Sequence, residues 1–424
     1  MTHATDGPTT LSPARIRLAL LALAMGGFGI GATEFVAMGL LPEMAADLLP
    51  GLAATSTDAA NAAAGWVISA YALGVVVGAP TIAAAAARWP RKRLLLALLA
   101  AFSLGTLASA LLPTFELVVA ARFIAALPHG AYFGIASLVA ASLMGPGKRA
   151  RGVALVLSGL TIANVVGVPA ITWLGQQAGW RVAYLAVAAI FVATFLAVLA
   201  AVPWQPGDPA ATFARELRVF TRVQAWFALA IGAIGFGGLF AVYSYVAPLA
   251  TEVTGLPSAL VPVVLIVFGL GMTIGNLVGG RLADWSVRRS MYLFFGTLAA
   301  ALVLLAFTVQ HPLGLGVGVF LVGASSAALS PTIQARLMDV ARDSQSIAAA
   351  LNHSALNIGN SLGAIVGGAV IAAGLGYVAP VWVGLLFTIA GSALAVATFA
   401  LDRARRRRGI PLPSVTGAVG AIGD

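Results

Sequence analysis

The sequence predicts an all-α integral membrane protein whose 12 transmembrane helices form two pseudo-symmetric six-helix bundles. Three observations predict this fold: an apolar composition, about twelve long apolar segments, and motifs that recur in the two halves of the chain. The 424 residues are 60 % hydrophobic and 9 % charged, with a mean hydropathy of +0.98. Roughly a quarter of the residues of a soluble domain are charged, so this composition excludes an ordinary soluble protein.

Each predicted helix is an apolar segment near or above the roughly 20 residues that cross the hydrocarbon core of a bilayer. Backbone groups in lipid must be hydrogen-bonded within their own segment, so segments of this length are expected to be α-helices. The first segment is too long for the core of a signal peptide, and we expect it to be retained. The predicted helices span about 18–41, 64–87, 94–111, 115–143, 153–174, 181–202, 225–249, 259–282, 291–309, 313–335, 346–373 and 378–401.

Basic residues mark one side of the predicted membrane protein. If successive helices alternate in direction, every Lys and Arg except Arg122 and Arg181 lies in a loop or terminal segment on the same side. The positive-inside rule places that side, with both termini, in the cytoplasm. The predicted location is the plasma membrane, which is the inner membrane of a bacterium. The net charge of +10 therefore indicates orientation and not a nucleic-acid partner. We expect the basic tail to contact anionic lipids.

Cofactor and metal motifs are missing from the sequence. The chain has no Cys and only four His, none of them closely spaced, so disulfides, thiol nucleophiles and a zinc site have no support. It also lacks a Walker-type phosphate loop, which makes ATP an improbable energy source. We therefore expect a protein that is not an enzyme and that uses no cofactor except a proton gradient.

The longest polar connection, residues 203–224, divides the chain into six helices plus six. The predicted organisation is a cytoplasmic tail (1–17), an N-terminal bundle (18–202), a cytoplasmic linker (203–224), a C-terminal bundle (225–401) and a basic tail (402–424). Internal repetition supports it: LTIANVVG at Leu160–Gly167 matches LNIGNSLG at Leu356–Gly363 with an offset of 196.

Small residues recur every fourth position in predicted helices 2, 5, 8 and 11. Such ladders let two membrane helices approach closely, so we expect these four helices to form the seam between the halves. Two repeats related by an axis along the membrane normal are typical of transporters that bind substrate near the midplane. The ladders are Ala70, Gly74 and Gly78; Gly159, Ala163 and Gly167; Gly271, Gly275 and Gly279; Gly359, Gly363 and Gly367.

The loop sequence GRLADWSVRR (Gly280–Arg289) resembles the loop motif of the major facilitator superfamily. The equivalent first-half loop, AAAAARWPRK, departs from that motif, with Ala87 at the acidic position and Pro90 at the second Gly. The resemblance implies the fold of that superfamily and a cytoplasmic gate in which the acidic latch belongs to the second half only. Its candidate residues are Arg88, Arg91, Lys92, Gly280, Asp284, Arg288 and Arg289.

Other stretches resemble one branch of that superfamily. RFIAALPHGAYFG resembles the helix 4 motif whose arginine, here Arg122, is linked to proton coupling. The helix 5 stretch is similar to the antiporter motif, with Gly159, Gly167 and Pro169 at its small and kinking positions, although Val168 separates the Gly-Pro pair. TEFVAMGLLPEMA and NHSALNIGNSLGA resemble the twelve-helix drug:proton antiporters, near the arabinose-exporter and chloramphenicol-exporter groups.

Glu34 and Arg122 are charges inside predicted helices, where a charge costs roughly 2.5–3.5 kcal/mol on insertion scales. Burial favours a neutral carboxyl group and water reverses this, so Glu34 suits a proton carrier. A structural carboxylate that only bonds a neighbouring helix is the alternative. Arg122 needs a counter-charge or acceptors, and a purely structural pairing is its alternative. The repeat counterparts, Phe240 and Val319, are uncharged, so we expect proton handling in the N-terminal half.

His129 lies seven residues after Arg122, on the same helix face. It is a candidate proton relay, with a packing histidine next to Pro128 as the alternative. The remaining candidates are polar or aromatic residues that line the substrate cavity. Their alternatives are hydrogen bonds between helices, a role in the seam for Asn164 and its repeat partner Asn360, and anchoring at the membrane interface for the aromatic residues. They are Trp66, Tyr71, Asn164, Tyr243, Tyr245, Asn352, His353 and Asn357.

These observations predict a monomeric exporter that exchanges an external proton for a cytoplasmic small molecule, with a drug or antibiotic as the leading substrate class. A sugar or metabolite exporter of the same fold is the alternative, and a membrane sensor or enzyme is a remote one. The only other expected partner is the lipid bilayer with its anionic lipids.

Overall fold

The structure, a computed structural model, describes residues 12–86, 88–144, 149–207, 223–340 and 345–407. Within these ranges, twelve helices are long and apolar enough to cross a membrane, and there is no β-strand. The prediction of an all-α protein with twelve transmembrane helices is confirmed. Most of the predicted linker and the tail beyond Arg407 lie outside the described residues, so the domain boundaries stay a prediction.

We number the membrane-spanning helices α1 to α12 in chain order. The first six are α1 (Pro13–Gly39), α2 (Thr57–Ala86), α3 (Arg91–Leu111), α4 (Phe115–Ala126 and His129–Met144), α5 (Arg149–Ile162, Ala163–Gly167 and Val168–Ala178) and α6 (Trp180–Ala201). The last six are α7 (Val223–Tyr243), α8 and α9 (both within Val261–Thr308), α10 (Pro312–Val340), α11 (Gln345–Val370 and Ile371–Leu375) and α12 (Ala379–Arg407). Two short helices, Leu41–Leu48 and Pro50–Thr55, connect α1 to α2.

Three long helices are interrupted for identifiable reasons. Pro128 has no backbone N–H and separates the two parts of α4. In α5 a π-helical turn, Ala163–Gly167, precedes Pro169 and takes up the change in hydrogen-bond register. The α8–α9 boundary is Ser286, whose backbone is extended (φ −165°, ψ 104°) and whose hydroxyl accepts a hydrogen bond from the Arg289 N–H at 3.4 Å.

Helices α2, α5, α8 and α11 do meet between the halves, as predicted, but their small-residue ladders do not make that contact and pack inside each half. In the first half, a Cβ atom at Gly78 would overlap the Leu127 backbone of α4. A Cβ atom at Gly159 would overlap the Ala24 carbonyl group of α1. The ladder of α2 therefore faces α4, and the ladder of α5 faces α1.

The second half repeats this arrangement. A Cβ atom at Gly275 would overlap the Ala324 carbonyl group of α10, and one at Gly363 would lie 2.6 Å from the Phe240 backbone of α7. Small residues let helix backbones touch, so each ladder holds together two helices of one half. Helices α2 and α11, and also α5 and α8, do meet between the halves, but through other faces.

Gly275→Ala is expected to lower the free energy of unfolding by roughly 1–3 kcal/mol, because the added methyl group overlaps a backbone carbonyl. The matched control is Gly296→Ala in α9, where no atom lies within 4 Å of the new Cβ position. Thermal unfolding of both purified variants in detergent checks this expectation. Equal melting temperatures for the two variants would contradict the close contact between α8 and α10.

Hydrogen bonds join the two halves on one side of the molecule. We call the side of the α2–α3 and α8–α9 connections the basic side, and the other the opposite side. On the opposite side, Asn61 Nδ2 donates to the Tyr377 hydroxyl at 2.8 Å, and Gln176 Nε2 donates to the Ser258 carbonyl at 3.0 Å. These two bonds join the halves on the opposite side.

Candidate proton-coupling and substrate site

Arg122 lies in the first part of α4, toward the opposite side, and has no exposed surface. Its Nη1 donates to the Thr33 carbonyl at 2.8 Å and to the Thr33 hydroxyl at 3.1 Å, and its Nε donates to the Val67 carbonyl at 3.5 Å. The guanidinium carbon lies 4.2 Å from the centre of the Tyr71 ring and 5.4 Å from that of Tyr184. One buried cation thus joins α1, α2, α4 and α6 through acceptors and aromatic rings.

Glu34 follows Thr33 on α1 and is 2 % exposed. Arg122 is close enough to attract its carboxylate, but Glu34 Oε1 and Arg122 Nη2 are both buried without a hydrogen-bond partner. Glu34 also contacts the Asn360 side chain of α11, which belongs to the second half. A buried acid with an unpaired oxygen therefore lies near a cation of its own half and an amide of the other.

Aromatic residues of the second half pack against Phe35, the neighbour of Glu34 in the chain. The ring of Phe35 on α1 stacks on Phe240 with centroids 6.5 Å apart, and it lies 5.6 Å from the ring of Tyr243. Tyr243 in turn packs on Phe268 of α8 at 4.6 Å. The buried Tyr243 hydroxyl has no hydrogen-bond partner and lies within electrostatic range of Glu34. The site is therefore an apolar aromatic contact between the halves with polar groups embedded in it.

Two histidines lie next to these polar residues, His129 on α4 and His353 on α11. The Tyr71 hydroxyl lies 3.3 Å from His129 Nδ1, and the His129 ring lies 5.9 Å from the ring of His353 on α11. His353 also stacks on Phe133 at 5.2 Å. A series of side-chain contacts thus runs from Arg122 through Tyr71 and His129 to His353 in the second half.

Amide side chains of α11 and α5 lie in the same interior. Asn352 Nδ2 is 3.4 Å from Gln334 Oε1, and Asn357 Nδ2 donates to the His353 carbonyl at 3.0 Å. The amide oxygens of Asn352, Asn357 and Asn164 are buried without a hydrogen-bond partner. Unpaired amide oxygens of this kind are available to accept hydrogen bonds from a substrate.

The fold and this buried site agree with the relatives of the chain. The profile of the Major Facilitator Superfamily matches residues 23–308 and 229–421. The chain belongs to the major facilitator superfamily. It is 39 % identical over 363 residues to "Inner membrane transport protein YdhP" of Escherichia coli (strain K12), covering 86 % of this chain and 91 % of the relative. It is also 33 % identical to "Chloramphenicol resistance protein" of Streptomyces lividans, with 88 % and 94 % covered.

Among solved structures, a D-xylose-proton symporter superposes with a TM-score of 0.71 at 15 % identity, covering 95 % of this chain and all of the other. This likeness shows the fold. As a member of the superfamily, the protein is a multi-pass transporter of the inner membrane and not an enzyme. The resemblance deduced from the motifs is thereby confirmed.

Two predicted aromatic candidates lie away from the site of this facilitator. Trp66 is 48 % exposed and shares a face of α2 with Leu73 and Val77, both exposed and apolar, as is typical of a lipid-facing surface. The Tyr245 hydroxyl donates to the Ala364 carbonyl at 2.6 Å and fastens the segment after α7 to α11. Tyr71 and Tyr243, by contrast, lie at the site.

The motif residues on the basic side have mainly local contacts. Arg91 Nη1 donates to Gln205 Oε1 at 3.3 Å, and Lys92 Nζ donates to the Leu199 carbonyl at 2.8 Å, so both fasten α3 to the end of α6. Gly280 has open space around it, Arg88 and Arg288 are exposed, and Arg289 lies 5.1 Å from the Trp285 ring. The Asp284 side chain and Ala87 lie outside the described part of the chain, so the latch stays a prediction.

The antiporter motif of α5 packs against α1. A Cβ atom at Gly167, the last residue of the π-helical turn that precedes Pro169, would lie 2.6 Å from the Phe28 ring. This contact and that of Gly159 hold α5 against the helix that carries Glu34.

Thr33 and Tyr184 are contacts of Arg122 that sequence reasoning missed. A lone Thr or Tyr in an apolar helix is common, so neither residue type sets these positions apart. Asn360 does carry a signal, its repeat relation to Asn164, but that symmetry predicts a seam role. The structure adds its position beside Glu34.

Glu43 is a titratable group of the opposite side, in the short helix after α1. Burial raises the pKa of Glu43 above its ordinary value of 4.5, and hydrogen bonds, including one with Gln176, lower it in part. Gln176 also bonds Ser258 of the other half. Because the pKa is raised in the folded state, protonated Glu43 favours folding. This contribution to the free energy of unfolding is complete below pH 4.5 and is lost as pH rises through the raised pKa.

Glu43→Gln, which imitates the protonated acid, is therefore expected to raise the melting temperature at pH 8 by roughly 1–3 °C. It should also reduce the difference in melting temperature between pH 5 and pH 8. Thermal unfolding at the two pH values measures this, with exposed Glu252→Gln as the control. The same pH dependence in the parent and Glu43→Gln would exclude Glu43 as the titrating group.

Proposed function

We propose that this facilitator is a proton-coupled antiporter that exports a small molecule, with drugs or antibiotics as the leading substrate class. The observation that carries the proposal is the position of Glu34. Its buried carboxyl group has an unpaired oxygen, lies near Arg122 in its own half, and meets Asn360 of the other half. Its charge state is therefore linked to the contact between the halves.

The proposed cycle uses this link. Ionised Glu34 is stabilised by Arg122 and accepts a hydrogen bond from Asn360, whereas protonated Glu34 loses the attraction to Arg122. Proton uptake from the external side thus changes the relative stability of the two arrangements of the halves, and substrate binding changes it in the reverse sense. Tyr71 and His129 continue from Arg122 and are the proposed relay, and Asp284 with its basic neighbours is the proposed cytoplasmic latch.

Two observations support a drug as the substrate. The aromatic rings of Phe35, Phe240, Tyr243 and Phe268 form a buried contact between the halves next to Glu34 in the chain, and rings of this kind can stack on an apolar substrate. A relative that covers almost the whole chain is a chloramphenicol resistance protein.

A second candidate is the export of a sugar or polar metabolite. The unpaired amide oxygens of Asn164, Asn352 and Asn357 favour it, because hydroxyl groups donate to such acceptors. A growth screen of an efflux-deficient host against antibiotics and sugars separates the two candidates. Resistance to an antibiotic supports the first, and relief of sugar toxicity supports the second.

Inverted vesicles test the coupling itself. Their lumen corresponds to the external side, so an acidic lumen is expected to drive accumulation of the substrate that the screen identifies. Nigericin, which collapses the pH gradient, should abolish accumulation, and vesicles without the protein are the control. Accumulation that persists after collapse of the gradient would reject proton antiport.

A further inference from the structure

A groove lies between α9 and α12 near the basic side, outside the site described above. Its cavity has a volume of about 280 Å³. Two rows of α12 residues line it at the spacing of helical turns: Val396, Ala400 and Ala404 in one row, and Phe399, Arg403 and Arg407 in the next. Tyr292 of α9 forms the facing wall.

The groove changes from apolar to basic along its length. The part of α12 that is long and apolar enough to cross a membrane ends at Ala404, and Val396 and Ala400 lie within it. Arg403 lies at its end, Arg407 lies beyond it, and both are exposed. A soluble anion would use only the basic end, whereas a molecule with a charged head and an apolar chain would use the whole groove.

Contacts behind the groove fix its shape and its charge. Arg336 of α10 forms an ion pair with Asp402 at 2.6 Å, with side chains only 12 % and 15 % exposed. Arg336 also lies 5.3 Å from the Phe399 ring, which meets Tyr292 edge-on at 5.8 Å. Because Asp402 is neutralised by Arg336, the adjacent arginines are left to bind an outside anion.

We propose that this groove binds an anionic phospholipid of the surrounding membrane. The phosphate accepts hydrogen bonds from Arg403 and Arg407, since guanidinium groups pair well with phosphate. One acyl chain lies along Ala400 and Val396, against Tyr292, where small side chains leave room for it. The lipid thereby joins the ends of α9 and α12 on the basic side.

Binding of dioleoylphosphatidylglycerol to the purified full-length protein in detergent tests the proposal, with native mass spectrometry as the readout and dioleoylphosphatidylcholine as the neutral comparison. The double variant Arg403→Gln/Arg407→Gln is expected to bind phosphatidylglycerol roughly 30-fold more weakly, from about 1 kcal/mol per arginine. The control Arg15→Gln/Arg17→Gln removes the same charge from exposed positions on the same side and should bind like the parent.

A second variant tests the groove without altering charge. Ala400→Phe fills the apolar row, where the acyl chain is proposed to lie. The variant should therefore bind less phosphatidylglycerol although both arginines remain. This variant also decides the question if the double arginine variant does not fold. Equal losses in the groove pair and the Arg15/Arg17 control, equal binding of the neutral lipid, or full retention in Ala400→Phe would overturn the proposal.

Discussion

Glu34→Gln is expected to abolish accumulation driven by a pH gradient while leaving a folded protein. Glutamine has the shape of the protonated acid and keeps the contact with Asn360, but it cannot release a proton. Loss of the proton site removes the coupling between proton and substrate. We therefore expect accumulation in Glu34→Gln vesicles to fall to the level of vesicles without the protein, and downhill movement of substrate to become independent of pH.

The measurement is substrate accumulation in inverted vesicles with and without nigericin, at matched amounts of protein. Glu116→Gln is the control, because Glu116 is an exposed acid at the start of α4. Unfolding temperature and elution on gel filtration verify that Glu34→Gln is folded. If Glu34→Gln transports as well as the parent under the same gradient, Glu34 is not the proton carrier.

Arg122→Ala is expected to have the largest effect on stability. It removes a buried cation that donates to Thr33 and Val67 and lies between the Tyr71 and Tyr184 rings. It also leaves the Glu34 carboxylate without its stabilising charge. Removing one partner of a buried charge pair costs roughly 3–5 kcal/mol, and we expect a loss of about 3 kcal/mol in the free energy of unfolding together with loss of coupled transport.

Two further variants separate charge from geometry. Arg122→Lys keeps the positive charge but cannot reproduce the planar contacts, so we expect partial stability without coupled transport. In the double variant Arg122→Ala/Glu34→Gln the unpaired acid is gone, and part of the lost stability should return. Thermal unfolding of the parent, both single variants and the double variant measures this coupling. Strict additivity of the two changes would show that Arg122 and Glu34 do not interact.

The positions of these charges could be predicted from the sequence because a charge in an apolar run is costly wherever the helix packs. What surrounds each charge could not be predicted in the same way. Thr33 meets Arg122 across α1 and α4, 89 residues apart in the chain. The adjacency of Asn360 to Glu34 joins helices from different halves. Contacts of such sequence separation have no local signal.

The glycine ladders also show that the sequence does not identify the neighbour of a helix face. Spacing by four identifies the face on which small residues occur, and the repeat offset places equivalent ladders in both halves. It does not say which neighbour that face meets. Gly159 meets α1 and Gly275 meets α10, so the ladders hold each half together and the seam uses other faces. Exposure likewise assigned Trp66 to the surface and Tyr71 to the site.

The sequence by itself determined the twelve spans and the two charges inside helices, because both follow from the cost of placing polar groups in lipid, and it showed the internal repeat directly. Only the tertiary structure decided the neighbours: Arg122 on Thr33 and Tyr71, His129 opposite His353, and Glu34 between the halves. The bilayer acts on each helix separately, so spans and buried charges can be predicted one segment at a time. Packing depends on the shapes of two surfaces together.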